Sequence, residues 1–305
     1  MADEPTTPSP ALGLPDRLAP WAAVRSLFEP PILNEHKWAK VPSIGADAYI
    51  LDAEDSVPPA HKLRAREKIV ETLLRPEHLA SALVIPRANH LSTRWGREDI
   101  VAYARAGVSA IMYPKTESAD DIGRVRELLA AHGSDAYVLA VVETARGVLN
   151  VESIAAADDV LGLAFGPGDL NADAGLPIYD SAGATNPAMM YPKVRVALAA
   201  AASRIPAWGI AYAPNIRDLN EIRRRVCEER DAGFTGCTVF YPPHVPIINE
   251  VFGVSTERAQ EAAELVRRYE EAQRAGNSAF RTATGEAVLI HQYQEARRVL
   301  SRSRR

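Results

Sequence analysis

The 305-residue sequence has few of the features that mark zinc-binding or disulfide-rich proteins, nucleic-acid-binding proteins, membrane proteins and secreted proteins. Its two cysteines, Cys227 and Cys237, have no histidine at a zinc-ligand spacing, which argues against a zinc site or a disulfide framework and fits a reducing cytosol. A net charge of -4 and a pI near 6.0, without a basic stripe, speak against nucleic-acid binding. No run is apolar enough to span a membrane, and the Pro-, Thr- and Asp-rich N-terminus is unlike a signal peptide. We therefore expect a cytoplasmic protein without nucleic-acid or membrane partners.

What the sequence does contain is a regular alternation of short apolar runs and longer amphipathic stretches. The runs predict eight strands, at 24–28, 48–52, 83–87, 110–114, 137–143, 161–166, 208–212 and 237–241. Eight strands, each followed by a helical pattern within roughly 220 residues, predict a (β/α)8 TIM barrel. An open doubly wound sheet is the alternative, but no GxGxxG motif opens a helix after the first strand.

Three parts follow from this division of the chain. Residues 1–22 are expected to be a disordered lead-in, because they lack an apolar pattern. Residues 23–245 would form the barrel, and residues 246–305 a C-terminal helical extension that covers the barrel or a neighbouring subunit. The basic tail of that extension is expected to be a solvated end.

Two carboxylates stand at the ends of two neighbouring predicted strands. Glu143 follows LAVV and Asp169 follows VLGLAF, with a helix-length connection between them. Parallel strands bring their carboxyl ends to one edge, where two hard oxygen ligands suit a divalent cation that holds an anionic substrate. Amides of the Gly166-Pro167-Gly168 turn could bind the substrate carboxylate. The alternative is structural, with Glu143 capping a strand end and Asp169 capping the next helix.

Other charged residues fall near predicted strand ends, where TIM barrels carry their chemistry. Arg87 offers a planar fork that can clamp a carboxylate, although it could instead pair with Glu54 or Asp55. Lys115 could form a Schiff base, but a structural ion pair fits better beside a metal. The charged residues at these ends are Arg25, Asp52, Glu54, Asp55, Arg87, Lys115, Glu143 and Asp169.

Seven stretches occur in this order along the chain: RSLFEP, GADAYILDAEDSVPPAHKLRAR, PRAN, YPKTESADD, VVETARGVLN, FGPGDLNADAG and HVPIINEVF. Together they resemble the citrate lyase β-subunit-like family of the HpcH/HpaI aldolase superfamily, which includes malyl-CoA and citramalyl-CoA lyases. The resemblance implies a Mg2+-dependent barrel enzyme in which Glu143 and Asp169 bind the metal, Arg87 binds the oxo acid and Arg25 lies toward CoA. It also implies a homotrimer or hexamer in which the extension packs on an adjacent subunit.

The sequence departs from that family at three positions, one of which is Tyr241 in VFYPPHV, where a histidine is usual. Glu29 in LFEPP replaces an apolar residue, which would alter the loop near CoA. Leu289 in GEAVLIHQ stands where acyl-CoA lyases carry an acid/base aspartate, so Asp55, Glu54 or His291 would have to supply that group. The hypothesis is a carbon-carbon lyase that acts on a β-hydroxyacyl-CoA or related hydroxy acid and releases an oxo acid of the oxaloacetate, acetoacetate, pyruvate or glyoxylate class. The alternatives are a CoA-independent 2-oxo-acid aldolase, a thioester hydrolase, or a ligand-binding barrel with little turnover.

Overall fold

Eight parallel strands form a closed barrel in the computed structural model, which describes residues 15–75, 79, 82–282, 285 and 287–303. Each strand pairs with its sequence neighbours, and β8 pairs with β1 to close the sheet. The predicted (β/α)8 fold is therefore confirmed. The strands are β1 Ser26–Phe28, β2 Ala48–Asp52, β3 Leu83–Arg87, β4 Ala110–Tyr113, β5 Tyr137–Val142, β6 Val160–Phe165, β7 Ala207–Ile210 and β8 Gly236–Val239.

Helices follow the strands and cover the outside of the barrel. Continuous apolar strands are typical of a parallel sheet that is covered on both faces, and every residue of β2, β4 and β6 is buried. The helices of the barrel unit are α1 Glu35–Trp38, α2 Lys62–Leu74, α3 Gly96–Arg105, α4 Ala119–Ala130, α5 Ala145–Leu149, α6 Val151–Ala155, α7 Pro167–Ala174, α8 Met190–Ala202, α9 Leu219–Asp231 and α10 Val245–Val251. Short 3-10 helices lie at Asp16–Ala23, Val41–Ser43, Pro59–His61, Pro187–Met189 and Pro242–His244.

The 3-10 helix Asp16–Ala23 closes the N-terminal end of the barrel interior. Leu18 and Trp21 are buried in the same apolar cluster as the inward-facing side chains of the strands. Trp21 meets Trp208 of β7 edge to face at 6.4 Å between ring centroids, and Trp208 Nε1 donates a hydrogen bond of 3.0 Å to the carbonyl of Val24. The prediction of a disordered lead-in is therefore wrong for residues 16–22, because their apolar side chains complete the core. Residues 1–14 lie outside the described residues.

The C-terminal extension begins later than the sequence indicated. The barrel unit extends to Phe252, because α10 packs against α9 and β1, whereas the predicted boundary was at 245. The remaining unit contains α11 Thr256–Arg274, β9 Phe280–Arg281, β10 Ala287–Val288 and α12 Ile290–Ser303. Within this unit α11 packs against α12, and Tyr269 stacks on Tyr293 at 4.7 Å between ring centroids.

None of the helices in the described residues combines the length and the apolar character needed to cross a bilayer.

Candidate active site

Acidic and basic side chains meet at the carboxyl ends of strands β1 to β6. Most come from the last residue of a strand or from the short segment that follows it, which is the end where TIM barrels carry their active sites. The structure brings together seven residues that the sequence analysis named and one, Glu29, that it had considered only as a loop change. The eight are Glu29, Asp52, Glu54, Asp55, Arg87, Lys115, Glu143 and Asp169.

Arg87, the last residue of β3, lies at the centre of the first half of this group. Its Nε donates to Asp52 Oδ1 at 2.6 Å, and its Nη2 donates to Glu29 Oε1 at 3.1 Å. From the sequence, Glu54 or Asp55 was the alternative ion-pair partner of Arg87. In the structure Glu54 Oε2 lies 3.7 Å from Arg87 Nε, and Asp52 is closer. Burial acts to raise the pKa of Asp52, but the charge of Arg87 and its hydrogen bond outweigh this effect and lower that pKa to about 2.

Lys115 lies between the carboxylates that follow β2 and those that follow β5 and β6. Its ammonium lies 2.5 Å from Glu54 Oε1, 3.2 Å from Asp55 Oδ2 and 3.7 Å from Asp169 Oδ1. Burial acts to lower the pKa of Lys115, but Glu54 and the other carboxylates raise it above its usual value. A lysine that stays protonated is a poor nucleophile, so the geometry favours the predicted ion pair over a Schiff base.

The backbone at Lys115 adopts a sparsely populated conformation. Its φ of 47° lies in the left-handed region, which costs free energy for a residue other than glycine. The strained turn points the Lys115 amide at Glu143, which accepts a hydrogen bond of 2.8 Å at Oε1. Glu143 is therefore held by the turn that follows β4, although it belongs to the end of β5.

Glu143 is a buried carboxylate in an acidic neighbourhood. Only 5% of the residue is exposed. Burial, followed by the charges of Asp169 and Glu54, raises the pKa of Glu143 to about 8. Thr144, the next residue, begins α5 by accepting a hydrogen bond from the Gly147 amide. The ionised form of Glu143 is thus disfavoured in the chain alone, and a bound cation would favour it.

Asp169 is the third residue of α7, whose N-cap residue is Gly166. The alternative prediction that Asp169 caps this helix is therefore wrong, and its carboxylate instead faces Lys115. The Gly166 amide donates to the Val142 carbonyl at 3.1 Å, so the predicted use of this amide for substrate is also wrong. Glycine is required there for another reason, because a Cβ at position 166 would lie 2.4 Å from Glu143 Oε2.

The rest of that turn remains available for a ligand. Pro167 occupies the first position of α7, where its missing amide costs nothing. The Gly168 amide belongs to the first helical turn, whose N–H groups have no intrahelical acceptor. A Cβ at Gly168 would lie 3.6 Å from the Tyr212 hydroxyl, so this tyrosine borders the same space.

Arg25 lies at the other end of the barrel. It precedes β1, and its guanidinium donates to both carboxylate oxygens of Asp47, which precedes β2, at 2.8 and 2.9 Å. It also donates to the carbonyl of Asn249 at 3.1 Å. The prediction that Arg25 binds substrate is therefore wrong, because the residue precedes β1 and lies at the end of the barrel away from the acidic and basic group.

The donor set at Glu143 and Asp169 fits a hard divalent cation. Among the described residues, no group of three His, Cys, Asp or Glu side chains is arranged to hold a metal ion. A metal here would therefore take two carboxylates from the chain and complete its coordination with water or substrate, which is the usual arrangement for Mg2+. The buried Glu143 carboxylate, with other acidic groups around it, is the observation that supports this fit.

The family of the chain follows from comparison with known proteins. The model of the HpcH/HpaI aldolase/citrate lyase family matches residues 29–242, which contain every residue of the acidic and basic group. The chain belongs to the HpcH/HpaI aldolase/citrate lyase family. This membership confirms the resemblance found in the sequence.

Two relatives and one solved structure show the range of this family. The chain is 32% identical to the (3S)-malyl-CoA thioesterase of Cereibacter sphaeroides (strain KD131), over 83% of this chain and 85% of that protein. It is 28% identical to the mitochondrial citramalyl-CoA lyase of Homo sapiens, over 84% of this chain and 78% of that protein. The CitE protein of Mycobacterium tuberculosis, solved with magnesium, acetoacetate and coenzyme A, matches with a TM-score of 0.76 at 28% identity, over 93% of this chain and 99% of that chain.

In this member of the HpcH/HpaI family, two residues that support the site were missed in the sequence. Lys62, at the start of α2, donates from Nζ to the carbonyls of Ala53 and Glu54 at 2.9 and 2.7 Å, and to Asn89 Oδ1 at 2.7 Å. Asn89 donates back to the Ala53 carbonyl at 2.9 Å. Asn89 stands two residues after Arg87 in PRAN, which was the available signal, whereas Lys62 in HKLRAR lies ten residues beyond the end of β2 and gave none. They fix the loop that carries Glu54.

Proposed function

We propose that the protein is a Mg2+-dependent carbon-carbon lyase that cleaves a β-hydroxyacyl-CoA or a related hydroxy acid and releases a small oxo acid. The observation that carries this proposal is the convergence of Glu143 and Asp169 around Lys115, with the fork of Arg87 on the same barrel edge. The solved CitE structure, whose ligands are magnesium, acetoacetate and coenzyme A, supports the assignment of ligand classes.

Glu143 and Asp169 are the residues that would hold the metal. The chemistry that Mg2+ supplies in such a site is stabilisation of the negative charge that develops on a carbonyl oxygen while a carbon-carbon bond breaks. The chain's own part is to present both carboxylates at one edge. Lys115 limits their repulsion by placing its ammonium 3.7 Å from Asp169 Oδ1 and its amide against Glu143.

Arg87 would bind the carboxylate of the oxo acid. Its guanidinium is held by Asp52, which is itself fixed by the Glu54 amide and by the amide and hydroxyl of Ser56. A planar fork in a fixed orientation can bind a carboxylate through parallel hydrogen bonds, which lysine cannot reproduce. Arg87→Lys should therefore weaken oxo-acid binding about tenfold or more, and unchanged affinity in calorimetric titration would contradict the assignment.

Of the predicted proton carriers, Asp55 is better placed than Glu54. Its side chain is 59% exposed and contacts Lys115, whereas Glu54 is 8% exposed and is held by Lys115. We assign proton transfer to Asp55 and positioning of Lys115 to Glu54. Asp55→Asn should lower turnover about 100-fold or more with little change in oxo-acid affinity, because general acid-base catalysis contributes on that scale.

Leu289, in the extension, cannot carry a proton, and the residue is 42% exposed. If the extension reaches an active site, Leu289→Asp should raise turnover. Unchanged turnover would show that the segment around Leu289 lies away from the active site.

The experiment that tests the metal site compares variants of its two carboxylates. Glu143→Gln and Asp169→Asn should each weaken Mg2+ binding strongly in calorimetric titration and abolish lyase turnover. Glu127→Gln, an exposed carboxylate on α4, is the matched control and should bind Mg2+ as the unmodified protein does. Equal Mg2+ affinity in all four proteins would refute the site.

A second candidate function is thioester hydrolysis at the same site. The similarity to (3S)-malyl-CoA thioesterase over most of both chains favours it. Product analysis with malyl-CoA and citramalyl-CoA separates the two, since a lyase leaves a smaller acyl-CoA and an oxo acid, whereas a hydrolase leaves free CoA and the hydroxy acid. Binding of these compounds without either set of products would instead identify a ligand-binding barrel.

We also propose that the protein is a cytoplasmic homotrimer or hexamer in which the extension packs on a neighbouring subunit. The apolar residues Leu289 and Ile290 at the start of α12 are 42% and 47% exposed, which supports an additional contact. Ile290→Glu should reduce the mass measured by light scattering. A monomeric unmodified protein would refute the assembly.

A further inference from the structure

The Glu29 carboxylate occupies part of the fork that is proposed to bind substrate. Arg87 donates one hydrogen bond to Asp52 and one to Glu29, at 2.6 and 3.1 Å. Asp52 is fully buried and accepts three further hydrogen bonds from the loop that follows β2. Within the described part of the chain, the bond to Arg87 is the one recorded for the Glu29 carboxylate. Asp52 is therefore fixed, whereas Glu29 can leave Arg87 by rotation of a single side chain.

The position of Glu29 allows such a movement. Its backbone amide donates to the Val239 carbonyl at 2.8 Å, which continues the pairing of β1 with β8 and anchors the main chain. Its side chain is 21% exposed, whereas that of Asp52 is 0% exposed. Glu29 thus lies on the open side of Arg87, where a carboxylate arriving from solvent would compete with it.

Burial makes the ionised form of Glu29 costly. Burial raises the pKa of Glu29 to about 7, and among the nearby charges Arg87 opposes this rise while the carboxylates of the loop after β2 add to it. The ionisable groups that interact with it are Arg87, Asp52, Glu54, Asp55 and Tyr212. A second anion on Arg87 would favour the neutral form of Glu29 further, because like charges repel.

We propose that Glu29 is an exchangeable partner of Arg87, displaced by the carboxylate of the substrate, and that binding of the anionic substrate therefore takes up one proton at Glu29. The inference rests on the proposed function, because it uses Arg87 as the carboxylate-binding residue. It makes Glu29 a specificity-determining residue. An oxo acid with a free carboxylate triggers the exchange, and a neutral ester of the same oxo acid does not.

The sign of the pH dependence follows from linkage. Above the pKa of Glu29 the free protein is ionised at this position, and the bound protein holds the proton, so affinity for the anion falls as pH rises. For one proton the fall is at most about tenfold per pH unit. Below that pKa the free protein already carries the proton, and affinity becomes independent of pH at this group.

The experiment is calorimetric titration with pyruvate and with acetoacetate at pH 8 and saturating Mg2+, in two buffers that differ in ionisation enthalpy. The difference in observed heat gives the number of protons taken up. Saturating Mg2+ keeps Glu143 ionised before and after binding of the oxo acid. We expect uptake close to one proton in the unmodified protein, about zero in Glu29→Gln, and about zero for methyl pyruvate with either protein.

Glu35→Gln is the matched control, because it removes the same charge from an exposed residue six positions along the chain. It should behave as the unmodified protein does. Glu29→Gln should also bind pyruvate about equally at pH 7 and pH 8, whereas a merely structural role for Glu29 would leave the proton count unchanged. The unmodified protein alone tests the proposal if Glu29→Gln does not fold.

The outcomes separate this inference from the proposed function. Metal-dependent binding of pyruvate without proton uptake, or with equal uptake in Glu29→Gln, overturns the exchange and leaves the function standing. Failure of every oxo acid to bind any of these proteins with Mg2+ overturns both. Proton uptake that disappears only in Glu29→Gln establishes the exchange.

Discussion

The contact between Gly166 and Glu143 gives a prediction that can be worked out from distances. In Gly166→Ala the new Cβ would lie 2.4 Å from Glu143 Oε2 and 2.7 Å from its Cβ, whereas ordinary contacts begin at 3.4 Å. Glu143 would have to move by about 1 Å, while Mg2+ requires ligand oxygens near 2.0–2.1 Å in near-octahedral geometry. We expect Mg2+ affinity to fall about 10- to 100-fold, and the free energy of unfolding to fall by about 1–3 kcal/mol from overpacking.

The backbone at Gly166 can accommodate alanine. Gly166 has φ -108° and ψ 85°, which alanine can adopt without left-handed strain. The assay is calorimetric titration with Mg2+, together with denaturant unfolding. Gly123→Ala on α4 is the control, because its added Cβ meets no described heavy atom within 4 Å and should raise the unfolding free energy by about 0.5–1 kcal/mol. Mg2+ affinity in Gly166→Ala equal to that of the unmodified protein would refute Glu143 as a ligand.

Three further predictions concern residues around the site and the core. Lys62→Met should lower the free energy of unfolding by about 2–4 kcal/mol in denaturant titration, since it removes the donor for three buried oxygen atoms, while Lys37→Met on exposed α1 should change it little. Trp21→Ala should cost about 3–5 kcal/mol in the same assay, and a change under 1 kcal/mol would mean that the N-terminal helix does not complete the core. Buried Glu229, paired with Lys193, has its pKa raised by burial from 4.5 to about 7, so the folded state keeps a proton that the unfolded state releases. Its contribution to the unfolding free energy should therefore fall between about pH 4.5 and 7; equal pH slopes in Glu229→Gln and the unmodified protein would contradict this.

The strand pattern could be predicted because buried parallel strands are continuous apolar runs, and each run ends at a charged or turn-forming residue. Arg87, Lys115, Glu143 and Asp169 were identified for this reason, since the end of a run defines one edge of the barrel. Arg25 was misplaced by the same argument. β1 has only three residues, so a charge beside it could belong to either end, and only the pairing with Asp47 shows which.

The partners of Arg87 could not be predicted from the sequence. Glu29 follows β1 and Arg87 ends β3, and these strands are not adjacent. The two residues meet only because the Arg87 side chain extends past β2. That reach depends on the stagger of the strands and on the side-chain conformation. The N-terminal helix was missed for a different reason, because its Pro and Asp residues resemble a disordered segment and its apolar signal is limited to a few residues.

The closure of the barrel interior by Asp16–Ala23 has a consequence for folding during synthesis. This segment is synthesised before any strand, yet Trp21 packs on Trp208, nearly two hundred residues later. Loop closure over such a separation is slow relative to local folding. On the ribosome, Trp21 therefore stays without its native contact to Trp208 until β7 has emerged, so the last step of closing the barrel interior follows the synthesis of nearly the whole barrel.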